Sequence, residues 1–133
     1  MCNTKVNRSM FILYVKDQEK SKVFYEAVLE YEPLLHVPGM TEFKLSDSSH
    51  LGLMPDEGIR RILGEGVPNP SDGSGIPRCE LYLFVDNPDE SYNRLIMAGG
   101  KGISKTELRT WGDYVSYGID LDGHIIAFAK SNG

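Results

Sequence analysis

Cysteine is scarce: Cys2 and Cys79 are the only two in 133 residues, too few for a disulfide framework or a zinc knuckle. One loose thiol at the chain start and one buried beside an expected strand suit a reducing compartment. Basic charge is also short. Fourteen Lys+Arg stand against nineteen Asp+Glu, a net charge of -5, and no basic run exceeds Arg60-Arg61, which argues against a phosphate-backbone partner. Long apolar runs are missing too. The longest, Met10 to Val15, has six residues where a bilayer span needs about twenty, and Lys16 closes it where a signal peptide would need a longer apolar core. A cytoplasmic protein with no nucleic-acid and no membrane partner is expected. Phosphate and calcium loops fail as well. Gly64-Glu-Gly66 and Gly99-Gly-Lys-Gly102 lack fingerprint spacing, and Asp120-Leu-Asp122-Gly123 has its Gly two places early and Ser131 where a calcium loop needs Glu. It reads instead as a hairpin turn whose Asp side chains cap backbone groups.

What is present is a repeated plan. Met10 to Val15 is apolar on both faces and reads as a covered strand. Asp17 punctuates it, and from Gln18 to Tyr31 the residues Val23, Phe24, Ala27, Val28 and Tyr31 fall at helical spacing. Pro33 stops that helix. Short strands follow at Leu34 to Val37, Thr41 to Leu45 and Leu51 to Met54, the last two joined by the polar turn 46–49. A Gly- and Pro-rich connector with one helical turn spans the stretch from Pro55 to Pro77. Then the plan recurs: strand Glu80 to Val85, Asp86, and a helix with Asn87 as N-cap, Pro88 at its first position, an apolar face of Tyr92, Leu95 and Ile96, and Gly99 at its end. Strands Ile103 to Leu108, Val115 to Ile119 and Ile125 to Ala129 complete it. This is an α+β pattern of two paired βαβββ modules, whose curved mixed sheets would form a cleft with helices outside.

The residues carrying this plan resemble a known family. Leu13-Tyr-Val15-Lys-Asp17, then Ser21, Phe24-Tyr25 and Val28-Leu29, are similar to the opening of the glyoxalase / bleomycin-resistance / dioxygenase superfamily, the vicinal-oxygen-chelate fold, with Glu30 where that family usually has Gly. The stretch from Trp111 through Asp120-Leu-Asp122-Gly123 to Ile126 is similar to its closing "WG-x-R…DPDGN-x-I" motif, with Tyr114 for the Arg, Leu121 for the Pro and His124 for the Asn. The resemblance implies one glyoxalase-like domain over 1–133, with module one at about 9–57, a connector at about 58–77 and module two at about 78–130. It also implies a homodimer.

The departures bear on function. The family's enzymes hold a divalent metal with His or Glu from four strands, and those places fall here on Met10, on Leu51 to Leu53, on Glu80 and on Ala127. Glu80 alone has a suitable donor, whereas a catalytic site needs about three protein ligands. His36, His50 and His124 read as satisfied or solvated residues at strand ends and turns. No metal ligand set and no cofactor are therefore assigned, a divalent metal being left open. The resemblance is closest to the metal-free, bleomycin-resistance-like branch, which implies binding of an aromatic or cationic small molecule. The expected ligand-binding residues are Met10, Ile12, Tyr14, Leu53, Glu80, Tyr82, Trp111, Tyr114 and Ala127, with Phe84 facing the cleft beside them. The same rings can also simply fill the space between the sheets. In the alternative, a lyase, isomerase or dioxygenase-type enzyme, Glu80 is the catalytic base or a metal ligand. A Glu at that place can equally be hydrated at the strand start or paired with Arg78.

Overall fold

The computed structural model describes residues 6–73 and 75–133; Cys2 lies outside them. The architecture is α+β, with two four-stranded mixed sheets and three α-helices among the described residues. No helix among them is long and apolar enough to cross a membrane.

The chain divides into two compact units: residues up to Lys22 with Tyr31–Asp72, and Val23–Glu30 with Gly73–Gly133. In the first, β1 (Ser9–Val15) pairs parallel with β4 (Ser49–Pro55), and β4 pairs antiparallel with β3 (Met40–Ser46), which carries β2 (Leu35–Val37) on its other edge. In the second, β5 (Glu80–Phe84) pairs parallel with β8 (Ile125–Ser131), followed by β7 (Asp113–Ile119) and β6 (Lys101–Leu108). The orders β1-β4-β3-β2 and β5-β8-β7-β6 are the same, so the repeat read in the sequence is a repeat of topology. In each sheet the last strand pairs with the first.

Strand alternation sorts the side chains of the first unit. Leu13, Val15, Phe43, Leu51, Leu53 and Thr41 share one face and are buried. Met10, Ile12 and Tyr14 lie on the other face with His50, Gly52 and Met54 from β4 and Met40 and Glu42 from β3. The strand β4 starts at Ser49, before the expected Leu51, because β3 and β4 stay paired up to Ser46 and Ser49, which leaves Asp47 and Ser48 as the turn. The connector begins with a helix of two turns, α2 (Asp56–Leu63), where one turn was expected. Its acidic first turn and basic last turn match the helix dipole, and it buries Ile59.

Helix α1 (Gln18–Leu29) buries Ser21, Phe24, Tyr25 and Val28, whereas Val23 is exposed and so is Ala27. The buried stripe is thus rotated from the one apolarity predicts. The cause lies in Tyr25, whose hydroxyl donates to Asp120 Oδ2 at 2.6 Å and whose ring meets Phe24 edge-on at 5.0 Å. A phenol with a buried partner outcompetes a valine for the interior. The helix ends at Glu30, which has φ 70° and is the one non-glycine residue in the left-handed region among those described. This is the position where the resemblance leads one to expect Gly.

Helix α3 (Pro88–Met97) follows its sequence signals. The Asn87 side chain accepts from the Glu90 N–H at 3.2 Å, and Gly99 has φ 106°. Pro88, Ser91 and Leu95 are buried, while Ile96 is exposed. Leu95 nests against Gly118 of β7, where a Cβ would come within 2.8 Å of its Cδ2. That contact selects Leu95 over Ile96 for the interior. Cys79, expected to be buried, precedes β5 and is exposed.

Candidate functional site

In the second unit, α3 packs on one face of the sheet, beside Ser116, Gly118, Ile126 and Phe128. The opposite face has Val115, Ala127 and Ala129 as a buried floor, with Tyr82 and Tyr117 packed against it. Tyr82 sits beside Ala127 in register, and Phe84 meets it edge-on at 5.4 Å. The Tyr82 hydroxyl donates to Asp113 Oδ2 at 2.6 Å and accepts from the Trp111 indole N–H at 2.9 Å. Trp111 itself is 58% exposed. Burial pushes the Tyr82 phenol up from its usual range, and the bond to Asp113 pushes it the same way. The hydroxyl therefore stays protonated and keeps donating.

Arg109 completes this face. Its guanidinium lies 5.1 Å from the Tyr117 ring centroid, pairs with Glu107 at 2.9 Å, and donates to Ser104 and to the Val115 carbonyl. Arg109, two residues before Trp111, supplies a guanidinium to this face and reaches Ser104 across the stretch where the β6–β7 register shifts. Such a bulge is not legible from sequence.

The expected site residues separate into groups. Glu80, Tyr82 and Ala127 share the face of the second sheet opposite α3, and Trp111 is bonded to them through Tyr82. Met10, Ile12 and Tyr14 share one face of the first sheet. Leu53 does not join them: it is fully buried on the opposite face, and Gly52 holds the place beside Ile12. Tyr114 likewise pairs with Lys130, which puts it on the face opposite Ala127. A side-chain period of two makes both displacements the result of a one-residue offset. Glu80 is exposed at the start of β5. Among the described residues no ion pair joins it to Arg78.

All three histidines have partners. His124 Nδ1 lies 2.8 Å from Asp120 Oδ2. Asp120, Asp122 and His124 bring ligand-type atoms within 4.8 Å of one another, but both Asp120 oxygens already accept bonds, from Tyr25, His124 and the Asp122 N–H. This is the braced hairpin turn the sequence suggests. His36 bridges Thr41 at 2.8 Å and Glu19 at 2.7 Å beside an open hollow of about 530 Å³ lined by residues 16–19 and 36–38. None of the expected site residues lines it. His50 lies inside β4, buried, with Nδ1 bonded to the Glu42 carboxylate.

The family model of the Glyoxalase/Bleomycin resistance protein/Dioxygenase superfamily matches residues 7–128. The chain belongs to this superfamily. A glyoxalase-related enzyme from Fulvimarina pelagi superposes with a TM-score of 0.78 at 21% identity, covering 92% of this chain and 86% of that one. A glyoxalase/bleomycin resistance protein/dioxygenase from Nocardioides gives a TM-score of 0.74 at 21% identity, covering 98% and 85%. A family enzyme from Burkholderia phytofirmans gives 0.74 at 15%, covering 92% and 97%. These likenesses establish the glyoxalase fold. No curated protein matches the chain.

The superfamily's hard-metal site does not fit this donor set. Its places fall on a thioether at Met10, hydrogen at Gly52 or buried leucine at Leu51 and Leu53, a methyl at Ala127 and the exposed carboxylate of Glu80. One oxygen donor does not hold a catalytic divalent ion.

Proposed function

We propose that this superfamily member binds an aromatic or cationic small molecule, without a catalytic metal, on the face of its second sheet that carries Trp111. The observation that carries the reading is Trp111, an exposed indole tied by its N–H to Tyr82. Such a ring offers a flat surface at little further ordering cost. Glu80 and Asp113 add carboxylates to the same face, and Trp is the strongest cation–π partner. Tyr117, already stacked against Arg109, is an intramolecular instance of that chemistry. The alternative enzyme reading, with Glu80 as base or metal ligand, has an exposed carboxylate in its favour but no companion donors. The reading extends to a cytoplasmic homodimer, whose mass sedimentation would measure.

The chain holds a single tryptophan, so its fluorescence reports this face alone. Titration with benzyltrimethylammonium should give a saturable change, with benzyl alcohol of similar ring size binding more weakly. Glu80→Gln should narrow the gap between the two. No saturable change with either probe would overturn the reading. So would a melting point raised several degrees by nickel, zinc, manganese or magnesium.

A further inference from the structure

The face of the first sheet opposite its buried leucines carries a cluster that the proposed ligand face does not use; Met10 and Gly52, two of the places where the superfamily's metal ligands fall, lie in it, but the donors around them are of another class. Gly52 is the floor of this cluster. A Cβ placed there would meet Ile12 Cγ1 at 3.0 Å, Met10 Sδ at 3.3 Å and Met40 Sδ at 3.4 Å. Two thioether sulfurs from different strands therefore converge over one backbone position that has no side chain. His50 stands beside them, since it pairs in register with Met10 and lies two residues before Gly52 on the same face.

The chemistry of His50 is set by its partner. The Glu42 carboxylate is bonded to Nδ1, the arrangement that in a neutral imidazole puts the proton on Nδ1 and leaves the lone pair on Nε2. Among the described residues Nε2 has no hydrogen-bond partner. A carboxylate behind one ring nitrogen, leaving the other free, is the arrangement that orients metal-binding histidines. We propose that Met10 Sδ, Met40 Sδ and His50 Nε2 form a site for a soft monovalent cation, Cu(I) or its analogue Ag(I), with Glu42 as the residue that positions His50.

Three arguments favour that ion class. Thioethers are soft donors and select Cu(I) over hard or borderline divalent ions. Methionine has three rotatable bonds, so the sulfurs can close on an ion without moving the strands. The charge also balances. The three donors are neutral, and Glu42 offsets one positive charge at a place where His50 is 5% exposed.

The test uses the full chain with Cys2→Ser and Cys79→Ser, which removes the competing thiols. Titrated anaerobically against the Cu(I)–bicinchoninate complex, it should withdraw one Cu(I) per chain. Met10→Leu with Met40→Leu should weaken uptake at least tenfold, and Glu42→Gln by about 10- to 100-fold. If the double variant fails to melt cooperatively, Met10→Leu alone serves, since Met10 is partly exposed. With 13C-methyl methionine, Ag(I) should shift the Met10 and Met40 resonances and leave Met97, 87% exposed, in place. No withdrawal, withdrawal unchanged by the methionine substitutions, or Zn(II) shifting the same methyls at lower concentration would each overturn the proposal.

Discussion

The indole N–H of Trp111 donates to the Tyr82 hydroxyl at 2.9 Å, and that hydroxyl in turn donates to Asp113 Oδ2 at 2.6 Å. The chain of bonds fixes the orientation of an otherwise exposed ring. Tyr82→Phe keeps the packing against Val115, Ala127 and Ala129 but removes both bonds. Faster decay of Trp111 fluorescence anisotropy is expected, together with binding of benzyltrimethylammonium weakened about threefold to tenfold. Unchanged anisotropy would show that the tether does not order the indole.

Tyr25 should govern the alkaline limb of stability. Burial pushes its phenol well above the usual value of 10.0, and the neighbouring Asp120 carboxylate adds to the shift. The folded state thus holds this proton more tightly than the unfolded chain. Its contribution is complete below pH 10 and disappears as pH rises through the higher folded value. Burial raises Tyr31 in the same direction. Thermal midpoints measured upward from pH 9 should fall beyond pH 10, and Tyr25→Phe should flatten that fall.

Asp120 has the opposite dependence. Burial pushes its carboxyl up, but bonds from the His124 ring and backbone, the charge on His124 and the Tyr25 hydroxyl outweigh it and hold the group below 3.8. Stability from this source is present above 3.8 and is lost as pH falls through the depressed folded value. Asp120→Asn should cost about 2–3 kcal/mol at neutral pH, since several bonds to a buried charge are weakened. Chemical denaturation at pH 7 and pH 3 checks both parts: the cost of the substitution should shrink at the lower pH.

Glu30 is held at φ 70° after the last turn of α1. Left-handed geometry costs a residue with a Cβ about 1–2 kcal/mol, and the Glu30–Arg94 contact, 3.5 Å between half-exposed side chains, returns little. Glu30→Gly is therefore expected to raise stability by about 0.5–1 kcal/mol after the added freedom of the unfolded chain is counted. A lower denaturation midpoint would mean the ion pair outweighs the backbone strain.

Local sequence determined the elements. The strand Met10 to Val15, the caps of α3 at Asn87 and Gly99, the turn at Asp120 and the two-fold recurrence of strand, helix and strands all follow from short-range patterns. So does the shared face of Met10, Ile12 and Tyr14, because alternation along one strand is local. Tertiary structure decided which strands are neighbours and in what register. Pairing of β1 with β4 brings Met10 and Ile12 to Gly52 and His50, and puts Leu53 on the far face. Pairing of β7 with β8 does the same to Tyr114. The buried stripe of α1 turned toward Tyr25 for a partner ninety-five residues away, which helical periodicity cannot report. Trp111 and Tyr82 likewise meet only because β5 and β7 flank β8 in one sheet. The physical reason is common to all four. Side-chain period is a property of one segment, whereas register is chosen by the buried contacts and bonds that distant segments make once they are paired.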